Sequence, residues 1–367
     1  MKQNNKILFF INALEHGGAA RVTVTLCNEL ITKGYTVFVM ANTQFQKVNY
    51  KVKSEVILIP LFTDEYFKYP RIIRRLFFYY SIRRKIIKSK PDIIIGVMPD
   101  NFLLVKICSL GLSIPVIASD HTSFNNKNVG RRENFVRFFL YNFADAVTIL
   151  TQADYDLLGK RLPKKIVMPN PLEYDIFNGQ NSRKKNILAA GRLDAWWVKG
   201  FDTLIETWAC IAKIYPDWIL EIAGAGSNES LLKLTNLAKK LEIENQVSFL
   251  GHSLDLDKLM QESSIFVLSS RYEGFGLVLV EAMSQGCACI AFELDGRINE
   301  IISSPEGGII INDKNNEALK NGLINLIENE SLRNSISVNA KQEAARFSKK
   351  VIADRWEMLF NHVKKNI

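Results

Sequence analysis

The chain has 367 residues, 47% of them hydrophobic and 23% charged, normal proportions for a soluble globular enzyme and too long a chain for one ordinary core. Forty-seven Lys and Arg against 38 Asp and Glu leave a formal charge of +9. That balance favours an anionic partner, whether nucleic acid, membrane surface or phosphorylated substrate, without choosing among them.

In chain order, KILFFIN reads as a buried strand, its apolar run Ile7 to Ile11 too short for a secretory segment. Gly17-Gly18 then turn the chain into a helix over about Ala20 to Thr32. YTVFVMAN is the second strand and EVILIPL the third. DIIIGVM, PVIAS, AVTIL and KIVMP follow, with helical segments between them. Continuous apolar strands with crossover helices imply a parallel sheet covered on both faces.

The pattern breaks at MPNPLEYDIFNGQNSRKKN, where Pro169, Pro171 and Gly179 mark a linker. It restarts with NILAAGRL, WILEIAGAG, VSFLG, SIFVLSS, CACIAFE and GGIIIN. The remainder reads as helical, interrupted at Phe347-Ser348 before a final amphipathic helix. The expected domains are 1–170 and 171–346, with the helix of 347–367 packing back on the first. Two doubly wound sheets of this kind face each other across a cleft, where strand carboxyl ends bind ligands.

No stretch reaches the roughly 18 apolar residues that span a bilayer. The cysteines (Cys27, Cys108, Cys210, Cys287, Cys289) are odd in number, and none has a His or second Cys pair at zinc spacing. A reduced cytoplasmic protein is expected.

The chemistry concentrates in SIFVLSSRYEGFGLVLVEAMSQG. A strand ends at Ser269-Ser270, the turn Glu273, Gly274, Phe275, Gly276 follows, and a helix starts at about Leu277. The glycines let the backbone approach a ligand, and the helix start offers amides and a positive dipole end to a phosphate. Glu273 in the loop and Glu281 one turn into the helix place two carboxylates where they can bond hydroxyls of a bound ligand.

EGFGLVLVEAM resembles the E-x7-E motif of the family-4 retaining glycosyltransferases, which have the two-domain GT-B fold. LAAGRLDAWWVKGFDTLIE is similar to that family's G-R-(spacer)-K-G segment. Gly17-Gly18-Ala19-Ala20-Arg21-Val22 resembles its GGAERV loop, MPNPLE its linker, and AGAGSNESLLKL its G-x-G segment. The likeness covers essentially the whole chain. Two departures stand out: Ala20 replaces Glu in the GGAERV loop, and ELDGRINEII carries Arg297-Ile298 where Gly-Pro is usual.

The resemblance implies that Arg192 and Lys199 neutralise the donor diphosphate, that Glu281 binds the ribose and that Glu273 contacts the transferred sugar. His121, in SDHTS, matches a first-domain histidine near that sugar and completes the catalytic set with Glu273, Arg192 and Lys199. Gly17, Gly18, Gly274, Phe275, Gly276 and Leu277 would cradle the phosphates, with Leu250-Gly251 beside the base. Arg, Lys and amide dipoles suit charge developing on a leaving diphosphate. Asp-x-Asp is missing at the motif positions, so neither metal nor cofactor is expected. The implied activity is retaining transfer of a hexose or N-acetylhexosamine from a UDP-linked donor to a polyprenyl-diphosphate-linked saccharide, in O-antigen or capsule synthesis. The implied location is peripheral, on the inner face of the cell membrane.

Two segments keep alternative readings. Trp196-Trp197 suits acceptor stacking, an exposed loop or interdomain packing. Lys68 to Lys90 has nine basic and no acidic residues among aromatics; it reads as an ordinary amphipathic helix or as one lying on an anionic membrane surface. Arg131, Arg132 and Arg137, among Phe135, Phe138 and Phe139, would reinforce the second. Competing functions are a UDP-sugar epimerase of the same architecture and a non-enzymatic anion-binding protein. No nucleic-acid motif is evident, and neither Gly-rich turn reads GxGxxG with an acidic residue some twenty positions on.

Overall fold

The computed structural model describes residues 5–15, 17–62, 66, 70–126, 129–179, 182–253, 255–312 and 315–365. The chain divides into two compact units: Met1–Glu173 with Ser348–Ile367, and Tyr174–Phe347.

In the first unit seven strands form one sheet: β1 (Lys6–Phe10), β2 (Thr36–Ala41), β3 (Ile57–Pro60), β4 (Ile93–Val97), β5 (Val116–Ser119), β6 (Ala146–Ile149) and β7 (Lys165–Val167). Their order is β3-β2-β1-β4-β5-β6-β7, with every pair parallel. The inner strands β1, β4, β5 and β6 are buried along nearly their whole length because both faces are covered. Ile7 and Phe9 pack under the helix Gly18–Thr32 and under Ile352, Trp356, Leu359 and Phe360 of the last helix, Lys349–Lys365. Leu8 and Phe10 pack on the other face with Ile82, Ile86, Phe102 and Val105 from the helices Arg71–Ser89 and Pro99–Cys108. EVILIPL pairs only over Ile57–Pro60, and as an edge strand it leaves Ile57 and Leu58 exposed. Of the basic segment read from Lys68, residues 68 and 69 lie outside the described residues.

The last helix is tied down by charge as well as packing. Lys33 Nζ meets Asp354 and lies 2.5 Å from Glu357; Tyr35 sits edge-on to Phe360 at 5.9 Å.

The second unit repeats the plan with β8 (Lys184–Ala190), β9 (Ile219–Ala223), β10 (Val247–Gly251), β11 (Ser263–Leu268), β12 (Ala288–Phe292) and β13 (Ile309–Ile311). The order is β10-β9-β8-β11-β12-β13, again all parallel. Ile187, Ile265 and Ile290 join Trp208, Leu234 and Leu323 in one core. Trp208 is fully buried and its indole N–H donates to the Gln246 carbonyl at 3.1 Å. Truncating such a side chain costs about 3–5 kcal/mol.

Each sheet reverses its strand order once, between β1 and β4 and between β8 and β11. A crevice opens at the carboxyl ends of the strands at such a point. In the second unit the loops that meet there begin at Gly191 and at Ser269. All five cysteines are free thiols. Among the described residues no helix is long and apolar enough to cross a membrane.

Candidate functional site

Lys199 and Glu273 meet at the β8–β11 switch point, Nζ 2.7 Å from Oε1. The Ser270 hydroxyl donates to the same carboxylate oxygen at 2.7 Å. The backbone brings them together. The short helix Trp196–Lys199 ends at Gly200, whose φ of +66° is left-handed. A Cβ on Gly200 would lie 1.9 Å from the Ser269 carbonyl oxygen, so only glycine allows this approach. Two bonds lock the contact: Ser269 Oγ donates to the Lys199 carbonyl (2.9 Å) and the Arg271 amide to the Val198 carbonyl (2.7 Å). The Lys199 stem lies over Gly191. With side chains only 20% and 13% exposed, the pair is partly desolvated, and its attraction exceeds that of a surface ion pair.

The turn that follows starts the helix Leu277–Ser284 from Gly276, whose φ of +99° has the same requirement. Phe275 is buried and packs edge-on against Phe347 at 5.3 Å, anchoring the turn. The first amides of the helix have no acceptor within it, which leaves the dipole's positive end toward the loop. Glu281 is wholly buried, one turn along. Arg192 is exposed at the start of the turn Leu193–Ala195. Beside it Asp194 accepts from the Ser227 amide and hydroxyl and from Ser230 Oγ, which hold its carboxyl below the usual range. Leu250 and Gly251 end β10, and the Gly251 carbonyl accepts from the Gly224 amide at 2.7 Å. The loops after β8 and β11 thus bring Arg192, Lys199, Glu273, Gly274, Phe275, Gly276 and Leu277 to one end of the sheet.

Gly17, Gly18 and His121 belong to the first unit. Gly17 has φ +103° and caps the helix that begins at Gly18; the Tyr50 hydroxyl donates to its carbonyl at 3.1 Å. Both His121 ring nitrogens are engaged: Nε2 with Ser119 Oγ and Nδ1 with Asn170 Oδ1, each at 3.1 Å. The Thr148 hydroxyl donates to Ser119 Oγ at 3.0 Å. This chain is satisfied when Ser119 donates to Nε2 and Nδ1–H donates to Asn170, a neutral imidazole. Burial pushes the His121 pKa below its ordinary value, against opposing effects of Asp120 and Asn170.

Sequence reasoning missed the neighbouring buried network. Asp120 accepts from Arg137 Nε at 2.8 Å, from the Tyr141 hydroxyl at 3.0 Å and from the Thr122 amide at 2.9 Å. Arg137, read as part of a basic surface, is 1% exposed; its guanidinium lies 3.7 Å from the Phe124 ring centroid. Its membrane role is withdrawn, because a buried cation paired to a carboxylate cannot reach a surface. The only signal was Asp120 itself, 17 positions away.

Residues 16–175 match the family model described as Glycosyltransferase Family 4, and residues 173–343 match Glycosyl transferases group 1. Together with the two parallel sheets, they define the class: the chain belongs to the glycosyltransferases of the GT-B type. An uncharacterized glycosyltransferase of Haemophilus influenzae is 29% identical over 364 residues, 96% of this chain and 99% of that protein. A Campylobacter jejuni α-1,4-N-acetyl-D-galactosaminyltransferase, named for a GalNAc-containing saccharide on PP-undecaprenol, is 27% identical over 98% of this chain and 99% of its own. Among solved structures, Anabaena HepE with UDP and glucose superposes with a TM-score of 0.79 at 18% identity, covering 98% of this chain and all (100%) of that one.

Proposed function

We propose that this glycosyltransferase is a retaining enzyme that moves a hexose or N-acetylhexosamine from a UDP-linked donor to a lipid-linked saccharide, in bacterial surface-polysaccharide synthesis. One observation carries the reading: the Lys199–Glu273 pair, held at a sheet switch point beside the amino end of the helix Leu277–Ser284. Cleaving a glycosyl–phosphate bond leaves charge on a diphosphate, and a preorganised ammonium, an arginine and helix amides stabilise it as it develops. Lys199 and Arg192 take that role, Glu273 meets the transferred sugar, and Glu281 the ribose. The names of the Campylobacter relative and of the HepE complex support the lipid-linked acceptor and the UDP donor respectively. The first unit is assigned to the acceptor; for Gly17 and Gly18 the family resemblance implies a role at the donor phosphates, and for His121 one near the transferred sugar.

The same reading places the protein on an anionic membrane surface. The helix Arg71–Ser89 turns Ile73, Leu76, Tyr80 and Ile87 outward, alongside exposed Arg75, Arg84 and Lys88. On the helix Arg131–Phe138 and just beyond it, Phe135 and Phe139 stack at 5.2 Å and are exposed too. Apolar side chains ringed by cations suit shallow insertion among acidic headgroups. Each cation near such a surface is worth about 1 kcal/mol.

The test is incubation with radiolabelled UDP-glucose, UDP-galactose, UDP-GlcNAc and UDP-GalNAc, with and without polyprenyl-diphosphate-linked saccharides. Acceptor-dependent transfer is expected. Sugar interconversion on UDP without an acceptor would establish the epimerase instead, and no turnover or UDP binding would leave an anion-binding protein.

A further inference from the structure

Beside the Lys199–Glu273 pair two aromatic rings face solvent and have no part in donor binding as read above. Trp197 is 46% exposed and Tyr272 43%, yet they flank residues that are mostly buried. Their ring centroids lie 6.1 Å apart with planes inclined by 36°.

These rings are held in place from below. Arg271 makes a bidentate pair with Asp202 at 2.7 and 3.0 Å, and donates to Thr203 Oγ1 at 2.7 Å and to the Trp197 carbonyl at 2.5 Å. Its guanidinium carbon sits 5.0 Å from the Trp197 ring centroid. The Arg271 amide, bonded to the Val198 carbonyl, joins the two backbone segments directly. Two large aromatics are therefore displayed to water on a cross-braced support, which lowers the ordering cost that a ligand meets on binding.

We propose that Trp197 and Tyr272 form a stacking platform for a pyranose ring of the acceptor saccharide. A pyranose presents a C–H face and a rim of hydroxyls. The platform matches the first with aromatic faces and leaves the second open to water. Trp197 belongs to the loop after β8 and Tyr272 to the loop after β11. The loop read as the base site, Leu250-Gly251, ends β10, two strands from β8 in the sheet. A nucleobase there and a saccharide here occupy different places. This inference rests on the donor-side reading of Lys199 and Glu273.

The experiment uses the full chain with UDP, and with methyl α-glucopyranoside, methyl α-galactopyranoside and methyl N-acetyl-α-galactosaminide as probes. UDP affinity is measured by calorimetry, and glycoside contact by saturation-transfer NMR with irradiation of the aromatic protons, UDP being present. Transfer onto the ring protons of at least one probe is expected. Trp197→Ala and Tyr272→Ala should each weaken glycoside binding by about tenfold, leave UDP affinity unchanged and keep the thermal melt. Trp197→Phe should retain most of the signal, which separates stacking from mere folding. Transfer to none of the probes, or transfer undiminished in both alanine variants, overturns the platform. Loss of UDP affinity in Trp197→Ala overturns it as well and makes the rings a nucleobase site. Failure of the unaltered protein to bind UDP at all counts against the proposed function rather than the platform.

Discussion

Lys199 Nζ lies 2.7 Å from Glu273 Oε1, although the two residues are 74 positions apart in the chain. The contact fixes the ammonium where the carboxyl ends of β8 and β11 meet. Replacing Lys199 with Ala is expected to lower kcat/KM by roughly 10²–10³, by analogy with removing one donor to a developing oxyanion. Glu273→Ala should mainly lower kcat and Glu281→Gln mainly raise the donor Kd. Steady-state kinetics with calorimetry on UDP separates these effects; wild-type rates in both glutamate variants at limiting and saturating donor would refute the assignment.

Gly200→Ala should destabilise the second unit, since its Cβ would fall 1.9 Å from the Ser269 carbonyl oxygen at a φ of +66°. Relief by backbone movement costs roughly 1–3 kcal/mol, a fall of several degrees in Tm. Gly130→Ala, with nothing within 4 Å and no positive φ, is the control expected to leave the melt unchanged. Differential scanning calorimetry compares the two.

His121 should stay neutral below the pH at which an ordinary histidine protonates, because burial lowers its pKa from 6.5. In the window between the lowered value and 6.5 the unfolded chain binds more protons, so stability falls as pH falls through that window. His121→Gln should flatten this dependence in denaturant titrations. Asn170→Asp, which sets a carboxylate beside Nδ1 and adds to the charge of Asp120, should raise the pKa as followed by NMR. A His121 that titrates normally in the unaltered protein would contradict the buried, doubly bonded ring.

Transfer should persist in excess EDTA, with Lys199 and Arg192 carrying the diphosphate charge, and the product should keep the donor's α configuration. Rescue of an EDTA-inactivated enzyme by Mn²⁺ or Mg²⁺ would refute the first statement. An axial–axial coupling constant at the new anomeric centre of a gluco- or galacto-configured product would refute the second.

Liposomes containing acidic lipid should pellet the protein at low salt and release it as screening shortens the reach of the charges. The combined variant Arg75→Glu/Leu76→Asp/Arg84→Glu should stay in the supernatant, with its fold checked by circular dichroism. Equal pelleting of both proteins would return the helix Arg71–Ser89 to an ordinary solvated face.

Much of the architecture was legible because its signals are local. SIFVLSS is a continuous apolar run ended by a Gly-rich turn, and β11 and the helix at Leu277 lie where that reading puts them. The long-range pairings were not legible. Nothing in RRENFVRF distinguishes Arg137 from Arg131 or Arg132, yet Arg137 turns inward to Asp120 while Arg132 stays exposed, 3.2 Å from Asp100. Asn170 reads as part of a linker motif; its bond to His121 spans 49 positions. EVILIPL looks like its neighbours, but its place at the sheet edge follows from strand order, which periodicity does not encode.

The last helix belongs to the first unit, so the second unit is an insertion joined to it by two chain crossings, at Glu173–Tyr174 and Phe347–Ser348. On the ribosome the face of the first sheet that takes Ile352, Trp356, Leu359 and Phe360 must wait uncovered until the whole inserted unit has been synthesised. At typical elongation speeds of about 5–20 residues per second, that apolar face lacks its last helix for many seconds, a window that invites chaperone capture of the nascent chain.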